Sequence, residues 1–98
     1  MIACYILFSE ILNKYYIGFT QESVISRLEK HNNSVYDKAF TTITNDWIVY
    51  LVIACEDISQ AIKIEKHIKK MKSRTYIENL LRYPEIQEKL LLKFASIN

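Results

Sequence analysis

Apolar positions along the chain fall into runs of two periods, and the period changes at definite places. Near the start, IACYILFS is rich in Ile, Tyr and Phe and predicts a strand. SEILN is a polar-ended connection and KYYIGFT is a second strand-like run, so the two predict an antiparallel hairpin. The spacing then becomes helical. Thr20 stands where an N-cap is expected, Val24, Ile25 and Leu28 recur along QESVISRLEKHNN, and Asn32-Asn33 is the stop. SVYDKAFTTITND has no clear period and reads as a loop. WIVYLVIAC is a continuous apolar run, the pattern of a central strand covered on both faces. AIKIEKHIKKMK follows as a helix capped by Asp57 or Ser59, and RTYIENLLR as a short helix capped by Ser73. Residues 84–98 form a last helix, with Pro84 in its first turn and Ile86, Leu90, Phe94 and Ile97 on one face. The order β-β-α-β-α-α-α predicts an α+β fold. It is a small three-stranded antiparallel sheet flanked by helices, one domain over residues 1–98.

Composition adds limits. Half of the 98 residues are hydrophobic, enough for a modest core without covalent staples. No apolar run approaches a membrane span, and the start MIACYILFSE lacks a basic leader segment, so a cytoplasmic location is expected. Cys4 and Cys55 lie inside apolar runs and read as buried free thiols rather than a disulfide. The net charge of +2 is unevenly spread. Residues 63–74 hold six Lys/Arg and one acidic residue, whereas the rest of the chain holds seven basic and ten acidic residues. That strip, Lys63, Lys66, Lys69, Lys70, Lys72 and Arg74, is either a solvated helix face or a tether for a polyanion backbone.

Candidate chemistry emerges from the strand faces. Matching the apolar sets of the hairpin places Tyr5 and Tyr16 on one face, together with Gly18, the only glycine in the chain. A strand glycine leaves a gap where another group can approach the backbone. Arg27 and His31, four residues apart, share a flank of the first helix. Glu65 falls inside the apolar arc of its helix, between Ala61 and Ile62 on the wheel. A carboxylate there needs a partner, which an arginine or a hard metal ion could supply, unless it reaches out at the helix edge.

Taken in order, CYIL, KYYIGFT, RLEKHN, DW, VY and AIKIEKHIKKMKSRTYIENLL resemble a GIY-YIG endonuclease domain over nearly residues 1–82. The similarity is greatest to the small stand-alone, excinuclease-subunit-like members. The resemblance implies a divalent-metal-dependent DNA endonuclease of low sequence specificity, with Tyr5, Tyr16, Arg27, His31 and Glu65 in the five catalytic places. It implies Mg²⁺ or Mn²⁺ on Glu65, the scissile phosphate on Arg27, and Tyr16 as base toward water. Tyr5 and His31 would aid proton movement, and Gly18 would keep the backbone clear for the phosphate chain. Two departures stand out. The first motif reads Ala3-Cys4-Tyr5 rather than Gly-Ile-Tyr, and the loop after His31 lacks a Gly- and Arg-rich stretch. Two other readings share the fold: a non-catalytic nucleic-acid-binding module, and an interaction protein that forms a homodimer through the C-terminal helix, where Leu92 falls off the apolar face.

Overall fold

A computed structural model describes residues 1–33 and 44–96 of the chain. Most of the loop expected after His31, and Ile97 of the last apolar face, lie outside the described residues. Strand β1 (Ala3–Ser9) turns back through Glu10–Asn13 into β2 (Lys14–Thr20), and helix α1 (Val24–Asn32) follows. Strand β3 (Ile48–Ala54) leads to α2 (Ile58–Met71), α3 (Arg74–Arg82) and α4 (Pro84–Lys93). The observed class, strand count and element order are those expected from the sequence.

The sheet runs β2-β1-β3, both pairings antiparallel. The central strand is therefore β1, and the run WIVYLVIAC, expected in the middle, supplies an edge. Two apolar runs of similar composition do not reveal which is central. The hairpin occupies one side of β1, and β3 pairs along its other side. The seamless burial of β1 follows, with Ala3, Cys4, Tyr5, Ile6 and Leu7 all fully buried.

Alternation along β1 builds two cores. Cys4 and Ile6 face α2 and α3, with Leu51, Ile53, Ile64, Ile68, Ile77, Leu80 and Leu90. Ala3, Tyr5 and Leu7 face α1, with Val24 and Trp47. Each fully buried aliphatic side chain contributes about 1.5–3 kcal/mol relative to exposure, so the two layers together fix the strand register. Helix α2 lies over β2 and β1, whereas α1 leans toward β3 and β1 on the opposite face. On the α1 side, β2 is thus the less covered strand.

The cap of α1 differs from expectation. Ser23 is the N-cap, its Oγ accepting from the Ser26 N–H at 3.3 Å. Thr20 is still in β2, and its Oγ1 accepts from the Glu22 N–H at 2.9 Å to turn the chain. Asp57 and Ser73 cap α2 and α3 as expected. The last helix stops at Lys93, with Phe94 as its cap. Its Leu90 is buried and Leu92 is 78% exposed.

Glycine is required at position 18 by space rather than by backbone angle, since no glycine here has positive φ. A Cβ on Gly18 would meet Cζ and the hydroxyl of Tyr5 at 2.6 Å and Cε1 of Tyr16 at 3.1 Å. The gap expected to admit a phosphate chain is filled by the two phenol rings; an aromatic ring over a cross-strand glycine is a known way to recover packing there. Gly18→Ala should cost about 1–3 kcal/mol by overpacking. In a Tyr5→Ala background, already destabilised by its own cavity, the extra cost of Gly18→Ala should vanish. Urea midpoints of the four proteins in this double-mutant cycle check it.

Candidate active site

The hairpin register pairs Tyr5 with Gly18 and Leu7 with Tyr16, so the two tyrosines are diagonal neighbours on the α1 face. Their ring centroids are 6.4 Å apart. Helix α1 brings His31 onto the same spot. The Tyr5 hydroxyl and His31 Nε2 are hydrogen-bonded at 2.9 Å, and the Tyr16 ring lies 4.7 Å from the imidazole, tilted by 57°. Tyr5 and His31 are both buried, at 0% and 1% exposure, while Tyr16 is half-buried. The pair is a sealed floor, and Tyr16 is its opening to solvent.

Arg27, one turn before His31, is half-buried with its Nε in the interior. Its charge acts on the imidazole. Burial first, and Arg27 second, lower the His31 pKa from 6.5 to about 4. The last turn of a helix would otherwise favour a protonated histidine; loss of hydration outweighs that attraction here. His31 is therefore neutral at pH 7 and can accept a proton.

A device absent from the sequence reading holds α1 in place. The Asn32 side chain accepts from the Trp47 N–H at 2.8 Å and donates to the Trp47 carbonyl at 2.9 Å. It thus imitates a strand partner and pins the residue after His31 to the start of β3. Trp47 in turn packs edge-on to Tyr16 at 6.4 Å. Asp46 ties the neighbouring hairpin end, accepting from Ser9 Oγ at 2.6 Å, Thr44 Oγ1 at 2.8 Å and the Ile11 N–H at 3.0 Å. The Ser9 hydroxyl, foremost among these donors, holds the Asp46 carboxyl below its ordinary pKa. In the sequence Asn32 reads only as a helix stop.

Glu65 is elsewhere. It is buried on α2, 7% exposed, and its carboxylate is paired with Lys69 at 3.1 Å. It lies near enough to Cys4 to help raise that thiol's pKa, behind burial and Cys55. Cys4 pairs with Phe19, one step from the Tyr5–Gly18 pair, but points to the α2 face. Glu65 is thus level with the tyrosines along the strands, on the helix that covers the opposite face. The partner its buried position required is a lysine one turn on.

The basic strip divides. Arg74 donates to the Asn13 carbonyl at 2.7 Å and to Asn13 Oδ1 at 2.8 Å, and lies 5.1 Å over the Tyr15 ring. Asn13 has φ 52°, so Arg74 clamps the left-handed residue of the hairpin turn. Lys72 is the left-handed C-cap of α2 and is exposed. Lys63, Lys66 and Lys70 line a separate groove with His67 and Phe94.

Residues 1–78 match the family model for the GIY-YIG catalytic domain. The chain belongs to the GIY-YIG family. A nuclease-type function, with nucleic acid as substrate, goes with that membership. No curated protein and no solved structure matches the chain. Among the described residues, no helix is long and apolar enough to cross a membrane.

The neutral His31 has a consequence for stability. Above pH 6.5 the ring is uncharged in both folded and unfolded chains, so it contributes no pH dependence. Between pH 6.5 and about 4 the unfolded chain takes up the proton and the folded chain does not, so stability falls with pH. The loss is about 1–3 kcal/mol and levels off below the folded pKa. Melting temperatures of wild type and His31→Gln over this window check it: the wild-type curve should be the steeper one.

Proposed function

We propose that this GIY-YIG chain is a divalent-metal-dependent endonuclease that hydrolyses DNA phosphodiester bonds with low intrinsic sequence specificity. The observation that carries the reading is the buried Tyr5–His31 hydrogen bond with the tilted Tyr16 ring packed beside it. Such an array can take a proton from water and move it inward.

Tyr16 is the member with access to solvent and takes the place facing the attacking water. A phenol titrates near ~10, so Tyr16 needs a nearby acceptor and a positive field to act as base at neutral pH. Nε2 carries the one lone pair of the neutral His31 ring and the Tyr5 O–H donates to it, so a proton reaches His31 only through Tyr5, whose oxygen takes it up as its own O–H proton passes to Nε2. Arg27 supplies the field and binds the scissile phosphate, with the fork of donors suited to its oxygens. Because Arg27 also opposes a lasting charge on His31, the proton is readily released after each turnover.

The donor set limits the metal. Among the described residues no group of three or more His, Cys, Asp or Glu could form a cage. A lone carboxylate fits Mg²⁺ or Mn²⁺, which take one or two protein oxygens and complete their shell with waters and phosphate oxygens. Glu65 is that carboxylate, and Lys69, whose side chain is 51% exposed, can swing away from it. When bound, the ion supplies Lewis-acid stabilisation of charge on the phosphate and leaving oxygen. A phosphodiester that touches both Arg27 and Glu65 runs along the edge of β2, past Gly18 and Phe19. Lys69 and Lys72, on the Glu65 side of α2, are the basic groups placed for its flanking phosphates.

The test is Glu65→Gln. Gln keeps the shape and hydrogen-bonding reach of the Glu65 side chain, and the partner left behind is Lys69, whose side chain is 51% exposed, so the variant should fold. Labelled single-stranded, flap and duplex DNA, incubated with Mg²⁺, Mn²⁺ or EDTA, should be cut by wild type only with metal. Glu65→Gln should lose at least about a hundredfold in rate, with affinity in EDTA unchanged. A folded Glu65→Gln protein that cuts at the wild-type rate would remove Glu65 from the site.

A further inference from the structure

On the outer side of α2, turned away from the tyrosines, is a shallow groove of about 260 Å³ lined by Lys63, Lys66, His67, Lys70 and Phe94. Three of its residues are exposed lysines on one helix flank. Its base is aromatic: the His67 ring lies 5.6 Å from Phe94 and 5.9 Å from Tyr76. Lys93 adds a fourth ammonium, 5.4 Å over the Phe94 ring. Burial, then Lys93 and Lys70, lower the His67 pKa, which leaves a flat uncharged ring between cations. The cations are not spent internally, since neither ion pair seen among the described residues uses Lys63, Lys66, Lys70 or Lys93.

We infer that this groove binds a single-stranded segment of nucleic acid, with a base stacked on Phe94 and His67 and flanking phosphates on Lys63, Lys66 and Lys70. Lysines alone would suit any polyanion. A half-open aromatic base within a ring of ammonium groups suits a polymer that carries both phosphates and flat bases. An acidic polypeptide satisfies the lysines and has nothing obligatory to stack. The groove reaches beyond the part of the chain matched to the family: Lys63, Lys66, His67 and Lys70 lie within residues 1–78, whereas Lys93 and Phe94 come from the end of α4. It deepens the proposed nuclease reading, on which it rests for its ligand class. The groove grips an unpaired strand at a distance from the cut, so substrates with a single-stranded arm gain over blunt duplex.

Binding and cleavage are measured separately on one preparation. Fluorescence anisotropy in EDTA, where no metal-dependent cleavage occurs, compares a labelled oligothymidylate with an abasic strand of equal phosphate count. Phe94→Leu, which keeps an apolar side chain against Leu90, should weaken oligothymidylate binding by about fivefold or more and leave the abasic strand unaffected. Phe94→Trp, which restores a stacking face, should recover the wild-type value. The triple variant K63Q/K66Q/K70Q should weaken both strands and reduce the log–log salt slope by about 2. Polyglutamate should compete less well than an oligothymidylate of equal charge. Three results would overturn the inference: equal effects of Phe94→Leu on both strands, an unchanged salt slope in the triple variant, or polyglutamate that competes as well as an oligothymidylate of equal charge and loses that competition with the lysine changes. The last would make it an acidic-peptide site. Absence of cleavage with metal, beside normal selective binding in EDTA, would instead strike the nuclease reading and leave the groove standing.

Discussion

Space above a single glycine is the constraint on which the site depends. Tyr5 can be fully buried in the middle of the sheet only because Gly18, directly across from it, has no side chain. Once the phenol lies over that glycine, its hydroxyl needs a partner, because an unpaired buried hydroxyl costs about 1–3 kcal/mol. His31 is that partner, and the bond ties the central strand to the helix on its α1 face. Tyr16, next on the strand, is then packed against both rings. A packing rule and a hydrogen-bonding rule thus assemble three of the five candidate residues.

The same layering separates the other charged groups. Arg27 is on the helix of the tyrosine face and Glu65 is on the helix of the opposite face, so the two charges that would hold a phosphate and a cation do not neutralise each other. Each acts locally instead. Arg27 adds to burial, the larger cause, in keeping His31 uncharged, and Lys69 neutralises Glu65 through a side chain that is half in solvent. Under the proposed function the substrate would bridge the two sides along the β2 edge, the side of the sheet that α1 leaves least covered.

Much of this was legible in the chain. Alternation in ACYILFS and KYYIGFT gave the register, and with it the diagonal contact of Tyr5 and Tyr16. The spacing of Arg27 and His31 placed both on one helix flank. Wheel position put Glu65 inside the apolar arc but left open whether it is buried with a partner or reaches out at the helix edge. What could not be read concerns choices among equivalent candidates. Two apolar strands of similar composition give no sign of which is central. Thr20 and Ser23 are both good caps, and three-dimensional continuity of β2 decides for Ser23. The six basic residues from Lys63 to Arg74 look alike in sequence, yet one clamps a turn, one covers a carboxylate, one ends α2 as its left-handed cap and three line an aromatic groove. The Asn32–Trp47 bonds join residues fifteen apart through a backbone amide and carbonyl, which leave no trace in side-chain pattern.

The most direct test of this account is the state of the His31 ring in the intact protein. Long-range ¹H–¹⁵N spectra across pH 3.5 to 8 report which nitrogen carries the proton and where the ring titrates. The account predicts a neutral ring with unprotonated Nε2 at pH 7, a midpoint near 4, and a changed Nε2 shift in Tyr5→Phe. A midpoint near the ordinary 6.5, with no response of the ring to Tyr5→Phe, would contradict it.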